Sequence, residues 1–265
     1  MYDLAALEAR LSDSIDGRVY AGKVHYSSAT GSTNTDALAA ARDGAPHGSV
    51  FLADEQLAGR GRGDHTWLSA AGEGLYVSVL LRPDIDPAHV PFIPLSAGLA
   101  AAAAISMASH LKVDLRWPND LLIGDRKTGG ILVESKTEGG AVSFVVIGIG
   151  INVHQRRFDA RLATPATSLD LESGRLISRQ ELLIALLESL QHETWGLHDP
   201  AVVTAIPARV ALASTWLWNR QVEVHGPQAC VGITRGLDKN GFLLVQTADG
   251  VVTVQTGGIR AAEKS

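Results

Sequence analysis

A short loop of alternating glycine and arginine is the clearest chemical feature of this sequence. It spans residues 59–63, Gly-Arg-Gly-Arg-Gly, and comes shortly after Asp54-Glu55-Gln56. Glycine lets backbone N–H groups approach an anion closely, and a guanidinium pairs with a carboxylate or a phosphate through two hydrogen bonds. The loop therefore indicates a site that binds a carboxylate and a phosphate together. The same composition also occurs in mobile surface loops, which is the alternative interpretation.

A second polar segment, residues 116–134, combines a tight turn with a lysine. Asp120 follows Trp117-Pro118-Asn119, and Lys127 begins the next predicted strand, so the two side chains can face one site across a hairpin. A lysine there neutralises a phosphate, and an aspartate accepts a proton or helps to hold magnesium. The alternative is a turn with a surface ion pair. Gly129-Gly130 favours the first interpretation, because glycines in strands often mark the close approach of a ligand.

Two further polar groups stand at the ends of predicted elements. Asn152 ends the apolar run 142–151, and strand ends in α/β proteins commonly face ligands. Ser32-Thr33-Asn34 begins a predicted helix. Each also has a structural interpretation, as a loop-capping asparagine or as an ordinary helix N-cap. Cys230 is predicted to be a core residue rather than a nucleophile, and the nine histidines show no metal-binding spacing.

Hydrophobic periodicity predicts the elements that must position these residues. Helices are predicted at 4–15, 34–43, 94–110, 178–195 and 200–213. Strands are predicted at 24–26, 49–54, 75–81, 113–117, 121–123, 130–134 and 142–151. From about Trp216, valines alternate in short runs between glycine-containing turns, which is typical of a small all-β module. The predicted fold class is α+β, with one domain at 1–213 and a small β-barrel at 214–265.

Composition limits the functional classes. The chain has 265 residues, of which 46% are hydrophobic and 19% charged, as expected for a folded soluble protein. A net charge of −5 argues against DNA binding, and a single cysteine excludes an intramolecular disulfide. The N-terminus lacks a signal-peptide pattern. Residues 90–111 carry no Asp, Glu, Lys or Arg, but are rich in alanine, so a packed core helix is predicted rather than a membrane span. We therefore expect a cytoplasmic protein without a membrane partner.

Together, these motifs resemble those of the biotin–protein ligase family (biotin–[acetyl-CoA-carboxylase] ligases) over about residues 24–265. They occur in the family's order, as Ser32-Thr33-Asn34, Gln56 with residues 58–62, Trp67, residues 117–120, 125–127, 130–134 and 148–152. Residues 236–241 and 257–260 resemble the family's C-terminal module. The resemblance implies a mixed-sheet catalytic domain similar to class II aminoacyl-tRNA synthetases, followed by an SH3-like barrel.

The resemblance also implies a two-step reaction that uses ATP, with Mg²⁺, and biotin as substrates. Biotin and ATP form biotinyl-5′-AMP, and the biotinyl group then passes to a lysine of a biotin carboxyl carrier domain of a biotin-dependent carboxylase. It implies that biotin is bound by Ser32, Thr33, Asn34, Gln56, Gly59, Arg60, Gly61, Arg62, Lys127 and Gly130. It implies that the nucleotide is bound by Arg62, Trp67, Trp117, Asn119, Asp120, Lys127 and Asn152. Lys127, Arg60, Arg62 and Asp120 are the expected catalytic residues, and the metal ligands are left unassigned.

Two departures from the family pattern bear on function. The family often reads Gly-Arg-Gly-Arg-x-Gly-Arg-x-Trp, whereas here Gly63 lies one place early and His65 replaces the third arginine. This change affects how tightly the loop closes over the adenylate. Only about 23 residues precede the matching region, so a ligase without the N-terminal DNA-binding repressor domain is expected. A homodimer can form if Glu134 and the strand at 142–151 provide a sheet edge.

Two other classes of function remain open from the sequence. A lipoate–protein ligase or octanoyltransferase would share the fold. The transferase needs a catalytic cysteine in the first domain, where this chain has none, and a lipoate ligase would lack the Gly-Arg-Gly-Arg loop. The other class is a non-catalytic, biotin-binding regulator whose β module recruits a partner. Release of pyrophosphate from biotin and ATP alone separates these possibilities.

Overall fold

A seven-stranded mixed sheet forms the centre of the first part of the chain in the computed structural model, which describes residues 2–262. Its strands are β1 (Val24–Ser27), β2 (Ser49–Ala53), β3 (Gly74–Leu81), β4 (Asp114–Arg116), β5 (Asp120–Ile123), β6 (Arg126–Glu138) and β7 (Ala141–Asn152). Their spatial order is β1-β2-β3-β7-β6-β5-β4. The β1–β2 pair is parallel and the other neighbours are antiparallel, as in an α+β protein.

Helices cover both faces of this sheet. They are α1 (Leu4–Asp13), α2 (Thr33–Arg42), α3 (Ile93–Ser109), α4 (Leu169–Ser173), α5 (Arg179–Trp195) and α6 (Pro200–Leu212). Alternate residues of β7 point to opposite faces. Val145 and Ile147 therefore join the large core that contains residues of α3 and α5, whereas Phe144 and Val146 pack with alanines of α2. The residues that follow on the α2 face of β7 are glycines, which leaves space above the sheet.

The alanine-rich helix α3 is packed inside the protein, as its small residues predict. The segment Pro87–Ser109 is long and apolar enough to cross a membrane by composition, but 56% of its apolar window is buried. α3 lies against α5 and β6, where Ala97, Ala100 and Ala104 are fully buried. Their small side chains allow this close approach.

A second, five-stranded antiparallel sheet follows α6. Its strands are β8 (Trp218–His225), β9 (Cys230–Leu237), β10 (Leu243–Thr247), β11 (Gly250–Val254) and β12 (Gly258–Ala261). Their order is β11-β10-β9-β8-β12. This sheet is the small all-β module that the alternating valines predict. Its inward-facing residues, including Val222 and Val245, are continuous with the core of the first sheet.

The structure corrects two expectations about the strands. The strand predicted at 130–134 extends over Arg126–Glu138. The expectation that the strand at 142–151 forms a sheet edge is wrong, because β7 lies between β3 and β6. The physical reason is already visible in the sequence: a strand that is apolar on both faces belongs in the interior of a sheet.

Candidate active site

A cavity of about 1030 Å³ opens above the sheet, on the same face as α2. Its floor is formed where Gly148 and Gly150 replace the larger residues that precede them in β7. Gly130 lies opposite Gly150, and Asp120 lies opposite Gly130. Residues in direct register share one face of a sheet. This row of glycines therefore exposes the sheet backbone to a ligand and leads to a carboxylate at its far end.

A chain of neutral polar groups lines one end of the cavity. The Oε1 of Gln56 accepts hydrogen bonds from the backbone N–H (2.9 Å) and the hydroxyl (3.1 Å) of Thr33, while its Nε2 donates to the Oγ of Ser69 at 2.7 Å. Ser78, which is fully buried, donates to the Oδ1 of Asn34 at 2.6 Å. Such a chain fixes the orientation of each amide, because each donor already has its acceptor. It suits an uncharged polar ligand.

The glycine–arginine loop forms one wall and is connected to this polar chain. Arg60 pairs with both oxygens of Glu134, at 2.8 and 3.0 Å. The Oε2 of Glu134 also accepts a hydrogen bond from the Nδ2 of Asn34 at 3.0 Å. Glu134 therefore joins the loop to α2. The sequence suggests Glu134 only as part of a sheet edge and does not predict its contacts with Arg60 and Asn34.

Arg62 reaches from the same loop to the second sheet. Its guanidinium donates to the backbone carbonyl of Gly257, just before β12. Arg260, in β12, also lines the cavity. The C-terminal module therefore supplies part of the wall, and both arginines add positive charge there.

Trp67 covers the glycine floor. A Cβ atom at Gly150 would lie 2.5 Å from the Nε1 of Trp67, so a side chain there is excluded. The ammonium of Lys127 lies 5.4 Å from the centre of the Trp67 ring, within the range of a cation–π contact. Trp67 thus places an aromatic face beside the lysine.

Lys127 faces the cavity because of a β-bulge in β6. Leu121 pairs with Gly129, but Leu122 pairs with Lys127, so Thr128 is an extra residue on that strand. Without it, Lys127 and Gly130, three positions apart, would point to opposite faces. The bulge brings the Nζ of Lys127 to 2.5 Å from the Oδ1 of Asp120.

Asp120 is held between two cations. Its Oδ2 accepts hydrogen bonds from the Nε and Nη2 of Arg116, at 3.1 and 2.6 Å. Burial raises the pKa of Asp120, but the charges of Lys127 and Arg116 outweigh it and hold that pKa below its ordinary value. Asp120 is therefore ionised at neutral pH, and the hairpin prediction that it faces Lys127 is confirmed.

Most residues predicted for the site lie around this one cavity. Those among its lining residues are Ser32, Thr33, Asn34, Gln56, Arg60, Gly61, Arg62, Trp67, Asn119, Asp120, Lys127, Gly130 and Asn152. Asn119 is anchored to β6 by its Nδ2, which donates to the Ile131 carbonyl at 2.7 Å. Asn152 donates to the Thr167 carbonyl at 3.0 Å.

Two predicted residues, Gly59 and Trp117, are not among those that line the cavity. Gly59 packs against the backbone of Trp67 at the base of the loop, where a side chain would collide. Trp117 is buried, and its Nε1 donates to the Gly241 carbonyl at 3.1 Å, so it joins the two sheets instead. Gly59 therefore permits close packing at the base of the loop, and the Trp117 indole contacts the C-terminal module.

Comparisons with known proteins decide the family. Residues 26–152 match the model of the biotin/lipoate A/B protein ligase family, and residues 218–259 match the biotin protein ligase C-terminal domain. A biotin–[acetyl-CoA-carboxylase] ligase of Mycobacterium tuberculosis is 34% identical over 239 residues, covering 87% of this chain and 85% of that protein. The chain belongs to the biotin–protein ligase family.

Other similarities agree. The bifunctional ligase/repressor BirA of Bacillus subtilis is 34% identical over 238 residues, which cover 88% of this chain and 72% of that protein. The structure of the biotin protein ligase from Aquifex aeolicus in complex with biotin and ATP has a TM-score of 0.76 and 25% identity. That match covers 90% of this chain and 98% of the other. The mixed fold with a small C-terminal β module is therefore that of biotin protein ligases.

The sequence alone does not assign to the site several residues that the structure places at or beside the cavity. Arg116 and Arg260 line the cavity, and Glu134 and Ser78 form hydrogen bonds with Asn34, which lines it. Strand register produces these positions, and a linear sequence does not display it. Within residues 2–262, no cluster of three or more His, Cys, Asp or Glu side chains could hold a metal ion. The one carboxylate beside Lys127 is already paired with two cations. The residues that the structure describes therefore do not form a protein cage for Mg²⁺.

Proposed function

We propose that this chain is an ATP-dependent biotin–protein ligase that forms biotinyl-5′-AMP and transfers biotin to a lysine of a carrier domain. The observation that carries the proposal is the division of one cavity into two ends. Neutral amides and hydroxyls lie at the Gly148 end, where Glu134 pairs with Arg60. Lys127 and Arg62 supply positive charge at the other end, near Asp120. Biotin has a neutral polar ring and a carboxylate, so it matches both ends, and the relatives' names point to the same substrates.

The polar end is proposed to bind the ring system of biotin. Ser32, Thr33, Asn34 and Gln56 lie at the start of α2 and beside β2. Their amides are already oriented by Ser78 and Ser69. A preorganised set of donors and acceptors lowers the ordering cost of binding and rejects ligands that lack matching polar groups.

The charged end is proposed to catalyse the first step. The biotin carboxylate attacks the α-phosphorus of ATP, pyrophosphate leaves, and a mixed anhydride remains. Two anions must meet, so cations near the forming bond lower the barrier. We propose that Lys127 and Arg62 contact the α-phosphate and the carboxylate, and that the nucleotide lies beside Gly130, Asn119 and Asn152, which line the same cavity.

In the second step the acceptor lysine attacks the carbonyl carbon of the anhydride and AMP leaves. An unperturbed lysine, with a pKa of about 10.4, is neutral only about once in 10³ at pH 7, so it must lose a proton before it attacks. Asp120 is the proposed acceptor of this proton. Because Lys127 and Arg116 occupy both of its oxygens and lower its pKa, Asp120 is a weak base, and a carrier lysine gains access to it only by displacing one of these pairings.

Further parts of the proposal follow from the family. The two sheets correspond to a catalytic domain at 1–213, similar to class II aminoacyl-tRNA synthetases, and to an SH3-like barrel at 214–265. The connection between α6 and β8 supports this boundary, because it contains no helix or strand. The acceptor is the biotin carrier domain of a carboxylase, the site of action is the cytoplasm, and a homodimer can form.

Release of pyrophosphate tests the function directly. Purified protein, biotin and ATP should release pyrophosphate without any carrier, and lipoate or octanoate in place of biotin should not support release. Adding a carrier domain should yield a biotinylated product, and a carrier whose acceptor lysine is changed to arginine is the matched control. No release above the level without biotin would contradict the proposal and favour the non-catalytic regulator. Neither the relatives nor the C-terminal module favour a lipoate ligase.

A further inference from the structure

Arg116 is a buried arginine that the proposed reaction does not use directly. Its side chain is 6% exposed and lies in β4, at the far edge of the sheet. It donates to Asp120 and, at 3.0 Å, to the Oγ1 of Thr164. A buried guanidinium is costly unless it is fully paired, so its position here requires an explanation.

The two cations beside Asp120 use different oxygens of its carboxylate. Arg116 binds the Oδ2, whereas Lys127 binds the Oδ1 at 2.5 Å. Arg116 lies directly opposite Asp120 in the β4–β5 register. The paired donors of the guanidinium restrain the plane of the carboxylate, and that plane determines where the Oδ1 holds the ammonium of Lys127.

Arg116 is in turn held by the C-terminal side of the molecule. Its guanidinium carbon lies 5.1 Å from the centre of the Trp216 ring, and Trp216 is almost fully buried between α6 and β8. The guanidinium of Arg220, in β8, lies 3.6 Å from the same ring and pairs with Asp125 at 2.6 Å. The start of the second sheet therefore contacts the first sheet at two points. Trp216 contacts Arg116 in β4, and Arg220 contacts Asp125 in the turn between β5 and β6.

We propose that Arg116 is a positioning residue that sets the location of Lys127 through Asp120, and that Trp216 connects this pair to the C-terminal module. This inference rests on the proposed function. It gives the module a role in the first reaction step beyond lining the cavity. Loss of Arg116 leaves the Oδ2 of Asp120 without its partner, so the carboxylate turns and Lys127 follows it away from the reacting phosphate.

The test compares pyrophosphate release by wild type, Arg116→Gln and Arg116→Lys. We expect Arg116→Gln to lower kcat roughly 100-fold, the cost of a misplaced catalytic group, while biotin binding measured by calorimetry stays unchanged. Arg116→Lys keeps the charge but loses the second hydrogen bond, so its kcat should lie between that of wild type and that of Arg116→Gln. Arg10→Gln is the matched control, because Arg10 forms an ion pair with Glu181 in which both side chains are exposed, away from the cavity.

The pH profile separates positioning from a merely structural role. Asp120 faces Lys127 from β6, Arg116 from β4 and Arg62 from the loop. Removing one of these cations allows burial to raise the pKa of Asp120. The acidic limb of kcat should therefore move to higher pH in Arg116→Gln and stay at the wild-type position in Arg116→Lys. A structural defect would lower the activity at every pH alike.

Trp216→Phe tests the connection to the module. A smaller ring holds the guanidinium less well, so kcat should fall, and the effect should not add to that of Arg116→Gln in the double variant. Additive effects would refute the role of Trp216.

Wild-type kcat and an unmoved acidic limb in folded Arg116→Gln would overturn the role of Arg116. If Arg116→Gln does not fold, wild-type kcat in both Arg116→Lys and Trp216→Phe overturns the proposal. Absence of pyrophosphate release by wild type would instead reject the proposed function itself.

Discussion

At the scale of single residues, the site depends on where one lysine points. Lys127 and Gly130 both face the cavity only because Thr128 is inserted as a bulge. The lysine is then held at 2.5 Å from Asp120 and beside the Trp67 ring. These contacts fix its ammonium close to where charge develops on the α-phosphate in the proposed first step.

Lys127→Ala should therefore impair formation of the adenylate and leave biotin binding intact. Loss of such an electrostatic stabiliser costs about 3–4 kcal/mol, or roughly 10²–10³ in rate. Pyrophosphate release measures the rate and calorimetry measures biotin affinity. Lys112→Ala is the control, because Lys112 is exposed between α3 and β4. A Lys127→Ala variant that releases pyrophosphate at the wild-type rate would rule out this role.

Arg62 should matter for retaining the adenylate. It connects the loop to the Gly257 carbonyl, and His65, in place of the third arginine of the family pattern, lacks a guanidinium. Arg62→Gly removes a hydrogen bond to a charged group, about 1.5–3 kcal/mol, so biotinyl-AMP should escape roughly 10- to 100-fold more often.

Escape of the adenylate is measured by biotinylation of a bystander protein. Wild type and Arg62→Gly are incubated with biotin, ATP and albumin, and the albumin is blotted for biotin. Arg62→Lys keeps the charge and should show intermediate labelling. Albumin labelling no greater than with wild type, in a variant that still releases pyrophosphate, would show that Arg62 does not retain the adenylate.

At the scale of elements, the glycines of β7 make the cavity possible. A Cβ atom at Gly148 would collide with the Oδ1 of Asn34. Gly148→Ala should therefore displace the Asn34 amide from Ser78 and Glu134. We expect weaker biotin binding by calorimetry and a free energy of unfolding lower by about 1–3 kcal/mol. Gly31→Ala is the control, because that position faces open space. Unchanged biotin affinity in Gly148→Ala would contradict this account of the polar end.

The loop at 58–66 should be ordered by its ligands. Its three glycines increase the conformational entropy lost on ordering, and bound anions compensate for that loss. Hydrogen exchange of these amides should slow by an order of magnitude or more when biotin and ATP are added, whereas the interior strand β7 should stay equally protected. Equal exchange of the loop with and without ligands would be the opposite of the expected result.

The sequence predicts the elements well and the side-chain network poorly, for a physical reason. Apolar periodicity reports which face of a strand is buried, and it places β3 and β7 within a residue or two. The sequence motifs identify most of the residues that line the cavity, because each motif has a distinctive composition. Glu134, Ser78 and Arg116 differ, because their roles arise from strand pairing. The Thr128 bulge shifts that pairing by one residue, and local composition does not encode it.

At the scale of the whole molecule, the two sheets share one hydrophobic core and several polar contacts. Leu217, Val222 and Ile259 belong to the same buried cluster as the core of the first sheet. Arg62, Trp117 and Arg220 each cross between the two parts. The C-terminal module is therefore continuous with the catalytic part, and we expect the two to unfold together.

Trp117→Phe tests that continuity and the role of the indole. The indole Nε1 is 3.1 Å from the Gly241 carbonyl. Its removal leaves a buried acceptor unpaired and should lower the free energy of unfolding by about 1–3 kcal/mol. Trp195→Phe is the matched control, because Trp195 is 71% exposed and its loss should cost little.

Tryptophan fluorescence and far-ultraviolet circular dichroism should give coincident unfolding transitions in wild type. Separate transitions would show that the sheets unfold independently, and a raised KM for ATP in Trp117→Phe at unchanged stability would return Trp117 to the nucleotide site.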